Sequence, residues 1–123
     1  MATIRAYTSL EQSRKLAEIL PLESADNVIV SFGSRDGVKT VVMPKETFDV
    51  IRTPFADIRE TTMCWSLAAL LNVLPEIQGG KPIIALDDNY ITYPHMSDLH
   101  TKADNLVNAC MAMIEHLHEL KML

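Results

Sequence analysis

Apolar and polar positions along the chain follow two rhythms, one near 3.6 residues and one of two. In "YTSLEQSRKLAEILP" Leu10, Leu16, Ala17 and Leu20 recur near helical spacing. Thr8 and Glu11 stand at capping-box distance and Pro21 stops the run, so a first helix is predicted here. "NVIVSF" and "VKTVVM" are rich in β-branched residues, and "GSRDG" between them offers glycines for a turn; together they predict a β-hairpin. Residues 44–60 read as a short helical turn, with Pro44 at its first position, followed by an irregular connection. A strand from Phe48 to Arg52 is the competing reading. "TMCWSLAALLNVLP" predicts a second helix, capped by Thr61 or Thr62 and stopped by Pro75. Its Trp65, Ala68 or Ala69, Leu70 or Leu71, and Leu74 surround much of the axis, as in a helix buried on more than one side.

"IIAL" and "YITY" flank Asp87, Asp88 and Asn89, which tolerate turn conformations, and predict a second hairpin. "HMSDLHTKAD" reads as the link to the last helix, "DNLVNACMAMIEHLHELK". There Leu106, Cys110, Met113, Leu117 and Leu120 form an apolar stripe, widened by Ala109 and Ile114. Thr101 and Asp104 are its candidate caps, and Met111 lies off the stripe on the side expected to be exposed. The order is αββ-αββ-α. Two hairpins joined in a mostly antiparallel sheet, with three main helices covering one face, make a single α+β domain over residues 1–123.

Composition narrows the function classes. A chain of 123 residues that is 48% hydrophobic and 22% charged has enough apolar surface to bury a core, which argues against disorder. The formal net charge is -5 and only Arg14 and Lys15 are adjacent basic residues. Phosphate binding needs a basic stripe, so no nucleic-acid partner is expected. The same balance disfavours an anionic membrane, and no stretch has the length of a membrane span. Two Cys make no disulfide framework, and the N-terminus lacks an apolar signal region, so reduced thiols in a cytoplasm are expected.

Three constellations offer chemistry. Cys64, at the start of the predicted second helix and followed by Trp65, stands where a helix dipole would favour a thiolate. His95 or His100 would be its base, and Asp98, Asn105 or Asn108 would orient the imidazole. Against this, no glycine-rich oxyanion turn precedes Cys64, and a buried free Cys is commonly a small hydrophobe. His95, Asp98 and His100 lie close together in sequence and form a candidate metal set, one ligand short of a closed zinc site. His116 and His118 point to opposite sides of one helix and cannot close on one ion. Asp87 and Asp88 read first as turn residues and only distantly as Mg²⁺ ligands. "GSRDG" lacks the Gly-Lys-Ser/Thr ending of a phosphate loop and no helix follows it. No cofactor is implied.

The segments "SLEQSRKLAEILPLESAD", "CWSLAALLNVLP" and "DNLVNACMAMIEHLHEL" resemble a set of small uncharacterised proteins encoded in phages, prophages and mobile elements of gut Bacteroidales. The resemblance covers about half the chain and leaves out residues 33–60. It implies a phage-associated accessory protein in a bacterial cytoplasm and transfers no catalytic residue. With no complete catalytic constellation and plentiful apolar helix faces, the leading expectation is a non-enzymatic interaction or self-associating module, such as a homodimer. A cysteine-dependent hydrolase or transferase using Cys64, and a small-ligand or metal-binding module, are the alternatives.

Overall fold

The computed structural model describes residues 6–35, 37–51 and 57–123, with Ile51 and Ser97 described by backbone alone. The chain is α+β with antiparallel sheets. It divides into two compact units, Thr8–Ser66 and Leu67–Leu123 with the preceding residues up to Tyr7. No described helix is long and apolar enough to cross a membrane.

The first unit opens with helix α1, Leu10–Ile19. Its capping box is Ser9 with Gln12, one position beyond the expected Thr8 and Glu11. The Gln12 amide donates to Ser9 Oγ at 3.1 Å and the Ser9 amide donates to Gln12 Oε1 at 2.9 Å. Thr8 serves elsewhere: its hydroxyl bonds Ser13 Oγ at 2.7 Å and accepts the Trp65 amide at 3.1 Å. The buried face of α1 is Ser13, Leu16 and Leu20, whereas Leu10 and Ala17 are exposed. A 3₁₀ turn over Leu22–Ser24 follows Pro21.

Strands β1 (Asn27–Ser34) and β2 (Gly37–Pro44) form the predicted hairpin, paired from Asn27 with Pro44 to Ser34 with Gly37. Gly37 has φ +116°, a conformation that L side chains avoid. Helix α2, Lys45–Ile51, replaces the competing strand over Phe48, and Pro44 ends β2 instead of starting the helix. The irregular connection expected next lies largely outside the described residues. Strand β3 (Ile58–Cys64) then pairs with β1, giving the order β2-β1-β3.

Side-chain alternation sorts this sheet into two faces. Val28, Val30, Phe32, Val41, Met43, Ile58 and Met63 lie together with Phe48 of α2. Asn27, Ile29 and Ser31 point the other way, with their β3 partners Cys64, Thr62 and Glu60. Glu60 meets Arg14 of α1 at 2.6 Å, so α1 covers that second face on the β3 side. Helices therefore lie on both faces here, where one covered face was expected. Sheet faces apolar on each side require it: Val28 and Val30 on one face and Ile29 and Cys64 on the other are all buried.

The second unit begins with helix α3, Leu67–Val73, followed by β4 (Ile83–Ala85), β5 (Tyr90–Tyr93) and β6 (Met96–Lys102) in the order β4-β5-β6. The "IIAL" and "YITY" hairpin is present, with Asn89 at φ 50° in its turn. Helix α4, Leu106–Glu119, covers the face formed by Ile91, Tyr93, Leu99 and Thr101. The Thr101 hydroxyl donates to Ala109 O at 2.8 Å, so this residue ties β6 to α4 and does not cap the helix. Asn105 is the cap, accepting the Asn108 amide at 2.9 Å. Met111, expected on the exposed side, is 4% exposed, and Leu120 at the end of the stripe is exposed. The buried arc of α4 is thus wider than a single stripe, spanning Val107, Ala109, Cys110, Met111, Met113, Ile114 and Leu117.

Candidate functional site

The polar side chains best organised in the first unit surround Cys64, Trp65 and Ser66. The strand β3 runs through Thr61 and Thr62, opposite Val30 and Ile29, and ends at Cys64 opposite Asn27. This corrects the expected helix over Thr62–Pro75: the helical part is only Leu67–Val73. Thr61 and Thr62 are ladder residues and cap nothing. Cys64 therefore does not sit at a helix N-terminus, and the dipole argument for a thiolate is lost.

Trp65 is 0% exposed and every polar group it carries is engaged. Its N–H donates to Thr8 Oγ1, its carbonyl accepts the Thr8 amide at 3.0 Å, and its Nε1 donates to Ser24 Oγ at 2.9 Å. The Ser24 hydroxyl in turn donates to Pro21 O at 2.6 Å. A large ring with a polar edge needs such a partner to be buried without loss. Asp26 next to β1 receives Ser66 twice: the amide donates to Oδ1 at 2.8 Å and the hydroxyl donates to Oδ2. These bonds tie the end of β3 to the start of β1.

The electrostatics follow from that geometry. Burial favours the neutral acid at Asp26, but the donors from Ser66 and the Asn27 side chain outweigh it and hold the carboxyl below its ordinary value. Cys64 is 0% exposed, and burial, followed by the negative charge of Asp26, pushes its thiol up to about 11. Cys110 on α4 is also fully buried, and burial raises it to about 12. Both are protonated thiols at neutral pH, the opposite of what a nucleophile needs.

The imidazoles lie in the second unit. His95 is exposed in the turn between β5 and β6, and His100 is exposed on β6 opposite Thr92. Its ring centroid is 5.9 Å from that of Tyr90. Asp98 and His100 alternate with buried Leu99 and share the solvent face of the sheet. Among the described residues, no group of three His, Cys, Asp or Glu is placed to hold a metal ion. His95 sits at the β5–β6 turn while Asp98 and His100 run along β6 away from it, and the three form no ligand set. Asp87 and Asp88 are exposed turn residues. His116 and His118 lie in the last turn of α4, where their basicity suits the carbonyl end.

Sequence reasoning passed over two features. Asp26 and Ser66 are far apart in the chain, and only the β1–β3 pairing, with β3 unrecognised, joins them. The second is the outer edge of β2, where Val38 is 59% and Val42 42% exposed. Its signal was present: "VKTVVM" has apolar residues at both parities, so a strand with only one covered side must expose some of them. No family model, curated protein or solved structure matches the chain.

Proposed function

We propose that the protein is a non-enzymatic accessory module that works by associating with protein, a second copy of itself included, in the cytoplasm of a bacterium that hosts phages or mobile elements. The observation that carries this reading is the eight-residue edge strand β2, which presents Val38 and Val42 to solvent. Exposed apolar side chains on an open sheet edge are features of strand-mediated association. The buried, protonated state of Cys64 supports recognition over thiol chemistry. The net charge of -5 supports a protein partner over nucleic acid or an anionic membrane. The phage or mobile-element setting rests on the three-segment resemblance.

Light scattering on the purified chain, with pull-down from infected or lysogenic cells, tests the reading. A mass above the monomer, or specific capture of a protein, is expected. A strictly monomeric chain that captures nothing would contradict it.

A further inference from the structure

Four strands, β2, β3, β4 and β6, form the edges of the two described sheets. Proteins blunt such edges by keeping them short, bulging them or charging them. Strand β4 has three residues, and the pairings of β3 and β6 carry register irregularities. Strand β2 alone among these edges has eight residues paired without a break.

The direction of its backbone groups can be derived. Asp26 O accepts the Lys45 amide at 3.2 Å, and the Gly33 amide donates to Asp57 O at 3.0 Å. Even residues of β1 therefore turn their backbone toward β2, and odd residues turn toward β3. On β2 the register makes Gly37, Lys39, Val41 and Met43 bond inward. Val38, Thr40 and Val42 present N–H and C=O outward, while Pro44 has no N–H to present. The side chains of Val38, Thr40 and Val42 share one face, on the half of the sheet away from the α1–β3 contact.

We propose that β2 pairs antiparallel with β2 of a second copy, about a two-fold axis through Thr40. This rests on the association reading above and names its partner. A two-fold axis perpendicular to the sheet keeps each face on its own side, and outward groups must meet outward groups. An axis at Lys39 would set two like charges against each other. An axis at Val41 would set Val38 against Pro44, which cannot donate. The axis at Thr40 satisfies all three outward residues. Thr40 meets its own copy, Val38 meets Val42 of the second copy, and Lys39 lies opposite Val41. Both exposed valines gain an apolar cross-strand neighbour, and the open edge disappears.

The test is sedimentation of the full chain at about 100 μM, enough to populate a complex of micromolar affinity. A dimer is expected. Thr40→Pro removes an outward donor and leaves the β1–β2 ladder intact, so it should weaken the dimer at least tenfold with unchanged circular dichroism. Val38→Glu and Val42→Lys should each do the same, and combining them should restore the dimer, because the new charges lie opposite each other across the axis. Thr40→Cys should give a disulfide-linked dimer on oxidation. Val38→Cys should not, since its two copies stand about 13 Å apart along the strand. A dimer indifferent to all these changes overturns the β2 pairing and leaves the association reading standing. A monomer at this concentration also overturns it; if the β2 variants then lose a captured protein, the edge binds a different strand.

Discussion

Trp65→Ala is expected to destabilise the protein by about 3–5 kcal/mol, the range for truncating a large buried aromatic residue. The ring is fully enclosed, so its removal leaves a cavity. It also removes the Nε1 donor to Ser24. The backbone bonds between Trp65 and Thr8 do not depend on the side chain and should remain. Trp65→Phe keeps most of the volume and loses the indole bond, so it should cost less, with about 1 kcal/mol from the hydrogen bond. Denaturant midpoints at constant slope measure both. Against a typical total of about 5–15 kcal/mol, the alanine variant loses a large share of its stability. A loss below about 1 kcal/mol would show that Trp65 is not an anchor.

A second large effect is expected in alkali. Cys64, Cys110 and Tyr93 are raised by burial to about 11, 12 and 12, from ordinary values of 9.0, 9.0 and 10.0. For Cys64 the charge of Asp26 adds to burial. Tyr93 also donates its hydroxyl to Pro75 O at 2.7 Å, a bond that needs the neutral phenol. An acid whose pKa is higher folded than unfolded contributes stability that is complete below the unfolded pKa. That contribution is lost as pH rises toward the folded pKa, because the unfolded chain releases the proton first. The thiol contributions are therefore whole below about pH 9 and fall above it, with the phenol following from about pH 10. At about 1.36 kcal/mol per pKa unit, the combined loss by pH 11 is on the order of 5 kcal/mol. Denaturant titrations between pH 8 and pH 11 should show this slope. Replacing both Cys64 and Cys110 by Ala should remove most of it and leave the smaller tyrosine limb. An unchanged slope in that double variant would show that the thiols are not its source.

Legibility in the sequence tracked how strongly each segment marked its own face. The β1–β2 hairpin was readable because β-branched residues and a glycine turn agree. The second hairpin and α4 were readable for similar reasons: "IIAL" and "YITY" flank turn residues, and a long apolar arc runs from Val107 to Leu117. Strands β3 and β6 were not readable. In "IRETTMC" the residues bordering the ladder are charged or hydroxylic, and only Cys64 is fully buried, so alternation is faint. In "MSDLHTK" one buried Leu99 and one Thr101 supply the face toward α4, and the rest resembles a loop. Missing β3 had a direct consequence for the candidate site. A helix over residues 62–64 would give Cys64 a dipole that strand β3 does not supply, and only the β1–β3 pairing brings Ser66 to Asp26. Met111 is buried although it lies off the stripe, because the buried arc of α4 extends past Ala109 and Ile114 to include it. The candidate residues His95, Asp98 and His100 were legible as neighbours, but alternation on β6 and the turn before it set their directions.

The central structural claim is that Cys64 and Trp65 are buried, next to a half-buried Ser66 bonded to Asp26; the proposal of recognition over thiolate chemistry rests on it. Thiol labelling of the native protein between pH 6 and pH 8 tests it most directly, with Cys64 resolved by mass spectrometry. Cys64 should stay unlabelled until denaturant unfolds the chain, with labelling rising along the unfolding transition. Rapid labelling of native Cys64 near pH 6 would contradict the claim, since it would require an exposed and ionised thiol.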